Sequence, residues 1–242
     1  MYLFHGPRGT GKTSTARIFA SALTCVSASS RSSKPPYTSR IPCVACKECV
    51  SVACGTSAHV KEVDAASNNG IERVKILLQL QSNSPSISTS SAKDHPAAPP
   101  PRPRFKVFII DECHALTSDT WNALLNILEE PPFDFVFILI TTDPDRLPRT
   151  AMSRCHRFPF AKIKEADIVE RLQALSRMES LDIGIDTLQL IASRADGSLR
   201  DALTILDQIS LLENRTNPAT LVNQLVRFGI CSSGYLTNHC RL

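Results

Sequence analysis

Residues 6–13 read GPRGTGKT, which fits the pattern G-x-x-x-x-G-K-[ST]. A short apolar run, Tyr2 to Phe4, precedes it. After it comes Lys12 to Leu23, where Ala16, Phe19, Ala20 and Leu23 recur at helical spacing. Strand, glycine-rich loop and helix form the context in which this pattern acts as a phosphate cradle. The glycines let backbone N–H groups close on phosphate oxygens at the positive end of a helix. A lysine then reaches the terminal phosphates, and a threonine hydroxyl meets Mg²⁺. Nucleotide contacts are therefore expected at Gly6, Pro7, Arg8, Gly9, Thr10, Gly11, Lys12, Thr13 and Ser14, with ATP and Mg²⁺ as the ligands.

A phosphate cradle needs acids beside it to manage the metal ion and a water molecule. The apolar run KVFII ends directly on Asp111 and Glu112, at the end of a strand where such acids project. Asp111 is expected to hold Mg²⁺, mostly through water, and Glu112 to orient and activate the water that attacks the γ-phosphate. Taken alone, an acidic pair after a strand is more often a solvated strand end, so the pairing with GPRGTGKT carries this reading. His114 reads as structural.

The remaining periodicities place these residues in an α/β fold. Strand patterns occur at Val60 to Val63 and in FVFILI before Thr141. Helix patterns run through Ile71, Val74, Leu77 and Leu78, and through SDTWNALLNILEE at 118–130, with Ser118 as N-cap and Trp121, Leu124, Leu125 and Leu128 on one face. Strands that are apolar throughout and alternate with helices imply a parallel sheet covered on both faces. Residues 82–104, SNSPSISTSSAKDHPAAPPPRPR, carry too many prolines and too little apolar surface to pack and read as a disordered loop. Beyond Phe160 the pattern turns helical: Ile168 to Met178, Asp186 to Ala195, Ser198 to Leu212, and a fourth helix near Pro218 to Val226. The expected organisation is a nucleotide-binding domain over 1–160, a helical lid over 161–226, and a tail, 227–242, that shows neither period.

Cys43, Cys46 and Cys49 form C-x-x-C-x-x-C, and Cys25 lies just past the first helix. Four thiolates suit tetrahedral Zn²⁺, and three close ligands with one distant favour a closed structural site. Cys54 competes with Cys25 as the fourth ligand. Because this stretch sits in the crossover between two strands, residues 25–54 read as a zinc-binding insertion rather than a separate module. The chain has 242 residues, nine of them cysteine, 43% hydrophobic, with a formal charge of +4. That composition excludes a disordered chain, and no apolar run approaches the ~18 residues of a membrane span. The start lacks the features of a signal peptide, so a soluble intracellular protein of cytoplasm or nucleus is expected.

The ordered set GPRGTGKTSTARIFA, the four cysteines, DECHALTSDTWNALLNILEEPP, TTDPDRLPRTAMSRC and ADGSLRDAL resembles the bacterial DNA polymerase III gamma/tau subunit family, AAA+ clamp-loader ATPases. The chain is also similar to the plant STICHEL-like proteins. The match runs from Tyr2 to about Val226, interrupted at 26–42 and 82–104. The resemblance implies that Thr142 is the sensor 1 residue, Arg154 the arginine finger acting on ATP of a neighbouring subunit, and Arg200 the sensor 2 residue. Ser198 and Asp201 independently place Arg200 in a helix's first turn, where an anion is favoured. The implied partners are other clamp-loader subunits, a sliding clamp, and DNA through the complex. Family members carry a segment before the first strand and a collar domain after the lid, whereas this chain starts with the strand under way and departs from the pattern after Val226. A scaffolding or regulatory protein of the same fold is the alternative. The letters DECH also suggest a DExH helicase, which needs a second motor domain.

Overall fold

In the computed structural model of the chain, the described residues are 1–26, 41–67, 72, 105–129, 134–181 and 183–211. The expected helix through Ile71 to Leu78, the loop at 82–104, the fourth lid helix and the tail lie outside them, apart from Glu72. The four expected strands form as β1 (Tyr2–His5), β2 (Val60–Asp64), β3 (Lys106–Asp111) and β4 (Phe135–Thr141). A fifth, β5 (His156–Pro159), pairs with β1. The sheet is parallel throughout, in the order β2-β3-β4-β1-β5.

Two compact units emerge. One comprises Met1–His5 with Lys12–Pro159; the other comprises Gly6–Gly11 with the described residues from Phe160 onward. In the first, α1 (Lys12–Thr24), α2 (Lys47–Ala53), α3 (Ser118–Glu129) and α4 (Arg149–Ser153) accompany the sheet. Strand side chains alternate between faces. Leu3, Phe108, Ile110, Phe137 and Leu139 share one core with Trp121 and Leu124 of α3. The residues of opposite parity, Val107, Ile109, Ile138 and Ile140, are equally buried. The helix α1 lies against β1, β2, β3 and β4, and its Ala16 and Ala20, one turn apart, are buried. Burial of both faces is why these strands read as continuous apolar runs.

The start of α3 differs from expectation by one residue. Thr117 takes the N-cap position: its carbonyl accepts the Trp121 N–H at 2.9 Å and its hydroxyl the Thr120 N–H at 3.4 Å. Ser118 is the first helical residue instead. Adjacent hydroxyl residues are equally competent caps, and the approach of the chain decides between them.

The second unit contains α5 (Glu165–Met178), α6 (Ile185–Arg194) and α7 (Leu199–Ser210). Ile168, Leu172, Leu188, Ile191, Ala202, Leu206 and Ile209 form its core. Ser198 caps α7 as expected, its hydroxyl accepting the Asp201 N–H at 3.2 Å. Among the described residues no helix is long and apolar enough to cross a membrane.

Leu124 is fully buried against the sheet. Leu124→Ala is expected to lower the unfolding free energy by about 2–5 kcal/mol, the range for a leucine-sized cavity, read from the denaturant midpoint of the purified chain.

Candidate functional site

Strand register brings three chain ends to one edge of the sheet. His5 pairs with Thr141, Ile110 with Leu139, and Asp64 with Asp111. The carboxyl ends of β1, β3 and β4 therefore emerge together, at the edge where open α/β sheets bind ligands. There the Thr13 hydroxyl donates to Asp111 Oδ2 at 2.7 Å, and the Glu112 N–H donates to Asp111 Oδ1 at 2.9 Å. Lys12, one residue before Thr13, is also buried. Burial lowers its ammonium pKa from the ordinary lysine value, and the charges of Glu112 and Asp111 counter part of that drop.

Glu112 sits in the left-handed region, at φ 48 and ψ 44, a conformation that costs a non-glycine residue about 1–3 kcal/mol. It turns the chain out of β3 into a 3-10 turn, Cys113–Ala115, so that Cys113 enters the core while His114 faces the end of β4. The Glu112 Oε2 atom accepts from the Thr142 hydroxyl at 3.2 Å, and His114 Nδ1 lies 3.3 Å from the same oxygen. His114 Nδ1 also meets Thr141 Oγ1 at 3.1 Å. Thr141 is fully buried, and its hydroxyl is tied to the Asp143 carbonyl and N–H, both at 3.1 Å.

Within the second unit, the loop Gly6–Gly11 holds the start of α7. Gly9 has φ +73, and a Cβ there would run into Ser198 Oγ and come within 3.2 Å of Arg200 Cβ. That close approach lets the Gly9 carbonyl accept the Leu199 N–H at 3.1 Å. Arg8 faces Asp201 at 3.7 Å. Gly6, at φ +146, has no room for a side chain beside the Phe160 carbonyl. The Thr10 hydroxyl donates to the Pro7 carbonyl at 2.9 Å, and Pro7 and Ser14 are exposed. Arg200 thus neighbours Gly9, while Arg154 pairs with Glu129 of its own chain at 3.0 Å.

The cysteines of the insertion also converge. The sulfur atoms of Cys25, Cys43, Cys46 and Cys49 all lie within 4.8 Å of one another, and Cys43 and Cys49 are 3.9 Å apart. A tetrahedral zinc with bonds of ~2.3 Å sets its sulfurs about 3.8 Å apart, so the set fits that ion. Cys46 caps α2: its sulfur accepts the Cys49 N–H at 3.4 Å, and Cys43 accepts the Cys46 N–H at 3.3 Å. Cys54, exposed at the other end of α2, is not in the group. Burial raises the Cys46 thiol pKa, but the N–H groups of Cys49 and Val26 outweigh it and bring the value below the ordinary one. Burial pushes Cys49 up to about 11.

Residues 1–164 match the family model "DNA polymerase III, delta subunit", and residues 167–210 match "DNA polymerase III clamp loader subunit, ATPase lid domain". The chain belongs to the DNA polymerase III clamp-loader family. It is 47% identical over 226 residues to Protein STICHEL of Arabidopsis thaliana, covering 93% of this chain and 17% of that one. It is 42% identical over 207 residues to DNA polymerase III subunit tau of Bacillus subtilis, covering 86% of this chain and 32% of that one. The chain thus spans between about a sixth and a third of these relatives' lengths. Its fold is that of the Thermotoga maritima RuvB Holliday junction branch migration motor, at a TM-score of 0.55 and 16% identity, covering 94% of this chain and 61% of that one. The AAA+ P-loop fold and the resemblance to clamp loaders are therefore established. Three contacts had no signal in the sequence: His114 on Glu112, Thr141 behind His114, and Glu129 on Arg154. The doublet Thr141-Thr142 at the end of an apolar strand was the one available cue, because alternation must bury one of the two hydroxyls.

Gly9→Ala forces either the loop or the start of α7 to move. The Leu199 amide is expected to lose its hydrogen-exchange protection in that variant while amides of β3 and β4 keep theirs.

Proposed function

We propose that this chain is an ATP-binding and ATP-hydrolysing clamp-loader subunit that acts in DNA replication by helping to load a sliding clamp on DNA. Residues 1–160 are its nucleotide-binding domain and 161–226 its helical lid. The observation that carries this reading is the joined set Thr13, Asp111, Glu112 and Thr142 at the carboxyl edge of the sheet, with Lys12 buried beside the two acids.

In this reading the N–H groups of residues 6–14 cradle the phosphates, and Lys12 neutralises the terminal ones. Thr13 and Asp111, two oxygen donors already in contact, would hold Mg²⁺, which when bound supplies charge neutralisation on the β- and γ-phosphates. Glu112 takes a proton from the attacking water as the new O–P bond forms at the γ-phosphorus. The bond to the β,γ-bridging oxygen breaks, and its electron pair leaves with ADP. Thr142 holds Glu112 in place and helps to orient the water. Arg200 contacts phosphate from the start of α7, and Arg154 acts on the nucleotide of a neighbouring subunit. The partners are other clamp-loader subunits, a clamp, and DNA through the complex; the protein works in solution inside the cell.

Lys12→Ala is expected to abolish ATP binding, and Glu112→Gln to retain binding while slowing turnover by about 100-fold or more. Equilibrium titration with ATP and a phosphate-release assay measure these separately. The identity to Protein STICHEL favours a second reading, a scaffold of the same fold, and the same assay separates the two. A clamp-loader subunit gains rate per chain as its concentration rises, because its finger works in trans, whereas a scaffold stays flat and near background.

The four clustered thiols are proposed to hold one structural Zn²⁺, and Cys25 is the fourth ligand. Metal analysis of protein purified without chelator should give about one zinc per chain. Cys25→Ser should reduce that content and Cys54→Ser should not. Zinc retention should fall as pH is lowered, because protons compete for thiolates.

A further inference from the structure

We propose that His114 is a positioning residue for Glu112. Its imidazole, fixed by the buried Thr141 hydroxyl, places Nδ1 against Glu112 Oε2 while the Thr142 hydroxyl donates to the same atom, and Oε1 is left to take the proton of the attacking water. The proposal rests on Glu112 being the base in ATP hydrolysis.

The tautomer follows from the contacts. Nδ1 lies 3.3 Å from a carboxylate oxygen and 3.1 Å from Thr141 Oγ1. An unprotonated Nδ1 would aim a lone pair at that carboxylate. The Thr141 hydroxyl has the Asp143 carbonyl at 3.1 Å as an outlet for its single hydrogen, and its oxygen already accepts the Asp143 N–H. A hydroxyl that donates elsewhere can only accept from the imidazole. On these contacts Nδ1 carries the proton and donates it to Thr141 Oγ1, with Glu112 Oε2 3.3 Å away.

Glu112 needs such support. Its backbone is in the left-handed region, and a glutamate side chain has three rotatable bonds to fix, each with an ordering cost. The Thr142 hydroxyl donates to Oε2, and His114 Nδ1 lies 3.3 Å from the same atom. Among the described residues no side chain hydrogen-bonds Oε1, so the carboxylate is oriented without being consumed. His114 is itself fixed, because the 3-10 turn Cys113–Ala115 is pinned by the buried Cys113 and because Thr141 ends a fully buried stretch of β4. The arrangement is that of an orienting shell around a reactive group, whose loss typically costs about 10- to 100-fold in activity.

The test uses the full chain and steady-state ATP hydrolysis, alongside ATP binding. His114→Ala should lower kcat by about 10-fold or more and change the ATP dissociation constant by less than about twofold. His114→Asn, whose amide N–H sits where Nδ1–H sits, should recover most of the rate, whereas His114→Gln, which places its amide further out, should not. Combining His114→Ala with Glu112→Gln should be no slower than Glu112→Gln alone, because the two act as one unit. Normal kcat in His114→Ala overturns the proposal, as does a loss that Asn rescues no better than Gln. If Glu112→Gln turns over normally, the reading of Glu112 falls, a separate result. Imidazole ¹⁵N spectra decide the matter independently of turnover: His114 should be protonated at Nδ1, and that proton should lose its exchange protection in Thr141→Val. Protonation at Nε2 alone would overturn the proposal.

Discussion

The hydrogen bond between Thr13 and Asp111 depends on β4. These residues are 98 positions apart in sequence; Thr13 comes after β1 and Asp111 ends β3, strands that are not neighbours, since β4 lies between them. They meet only because β4 pairs in register with both. A slip of one residue in either pairing would turn every inward side chain of a strand to the opposite face. Ile138, Leu139 and Ile140 are fully buried, so neither face of β4 tolerates that exchange. Core packing thereby fixes where the hydroxyl and the carboxylate arrive. The short charge-assisted bond then reports a register that hydrophobic burial has set.

The same cause explains what was legible from residues alone. Strands buried on both faces must be apolar at every position, so β1, β3 and β4 stood out, and with them the glycine-rich loop and the acids at their ends. The strand β5 did not: its four residues, HRFP, are exposed and show neither alternation nor an apolar run, because an edge strand held by one neighbour need not bury its side chains. The short helix α2 was equally hidden, since its start is organised by a sulfur cap and not by helical periodicity. At the candidate site, residue types nominated Lys12, Thr13, Asp111 and Glu112, and the fold brings Thr13, Asp111 and Glu112 into contact. The left-handed turn at Glu112 escaped notice because nothing in a glutamate announces it, and without that turn His114 has no reason to face back toward its neighbour. The approach of Gly9 to Ser198 spans nearly the whole described chain, and only the folded backbone makes it visible.

Cysteine occurs in two settings in this chain, scattered in or against the apolar core and gathered in one cluster. Cys113 lies in the apolar core and the partly buried Cys155 packs against it, and burial pushes their thiols up, Cys155 to about 11. They behave as small hydrophobes. Cys46 lies at the start of a helix with backbone N–H groups aimed at its sulfur, and its thiol is shifted down instead. An N–H directed at sulfur favours the thiolate, which is the form that binds a metal. Spacing nominated Cys43, Cys46 and Cys49. Burial raises Cys49 to about 11 as it does Cys155, so what sets the nominated cysteines apart is their grouping: with Cys25, their sulfurs lie within 4.8 Å of one another.

The ion pair between Arg154 and Glu129 bears on whether the proposed finger is free to act in trans. Both side chains are about half exposed, 43% and 55%. Ion pairs in such settings contribute about 0–1 kcal/mol, because water screens the attraction and ordering two long side chains opposes it. A phosphate offers Arg154 more charge and a bidentate partner, often in a drier setting. The contact with Glu129 is therefore a weak resting place and not a lock. A contact this weak would yield to a nucleotide if the proposed finger role holds.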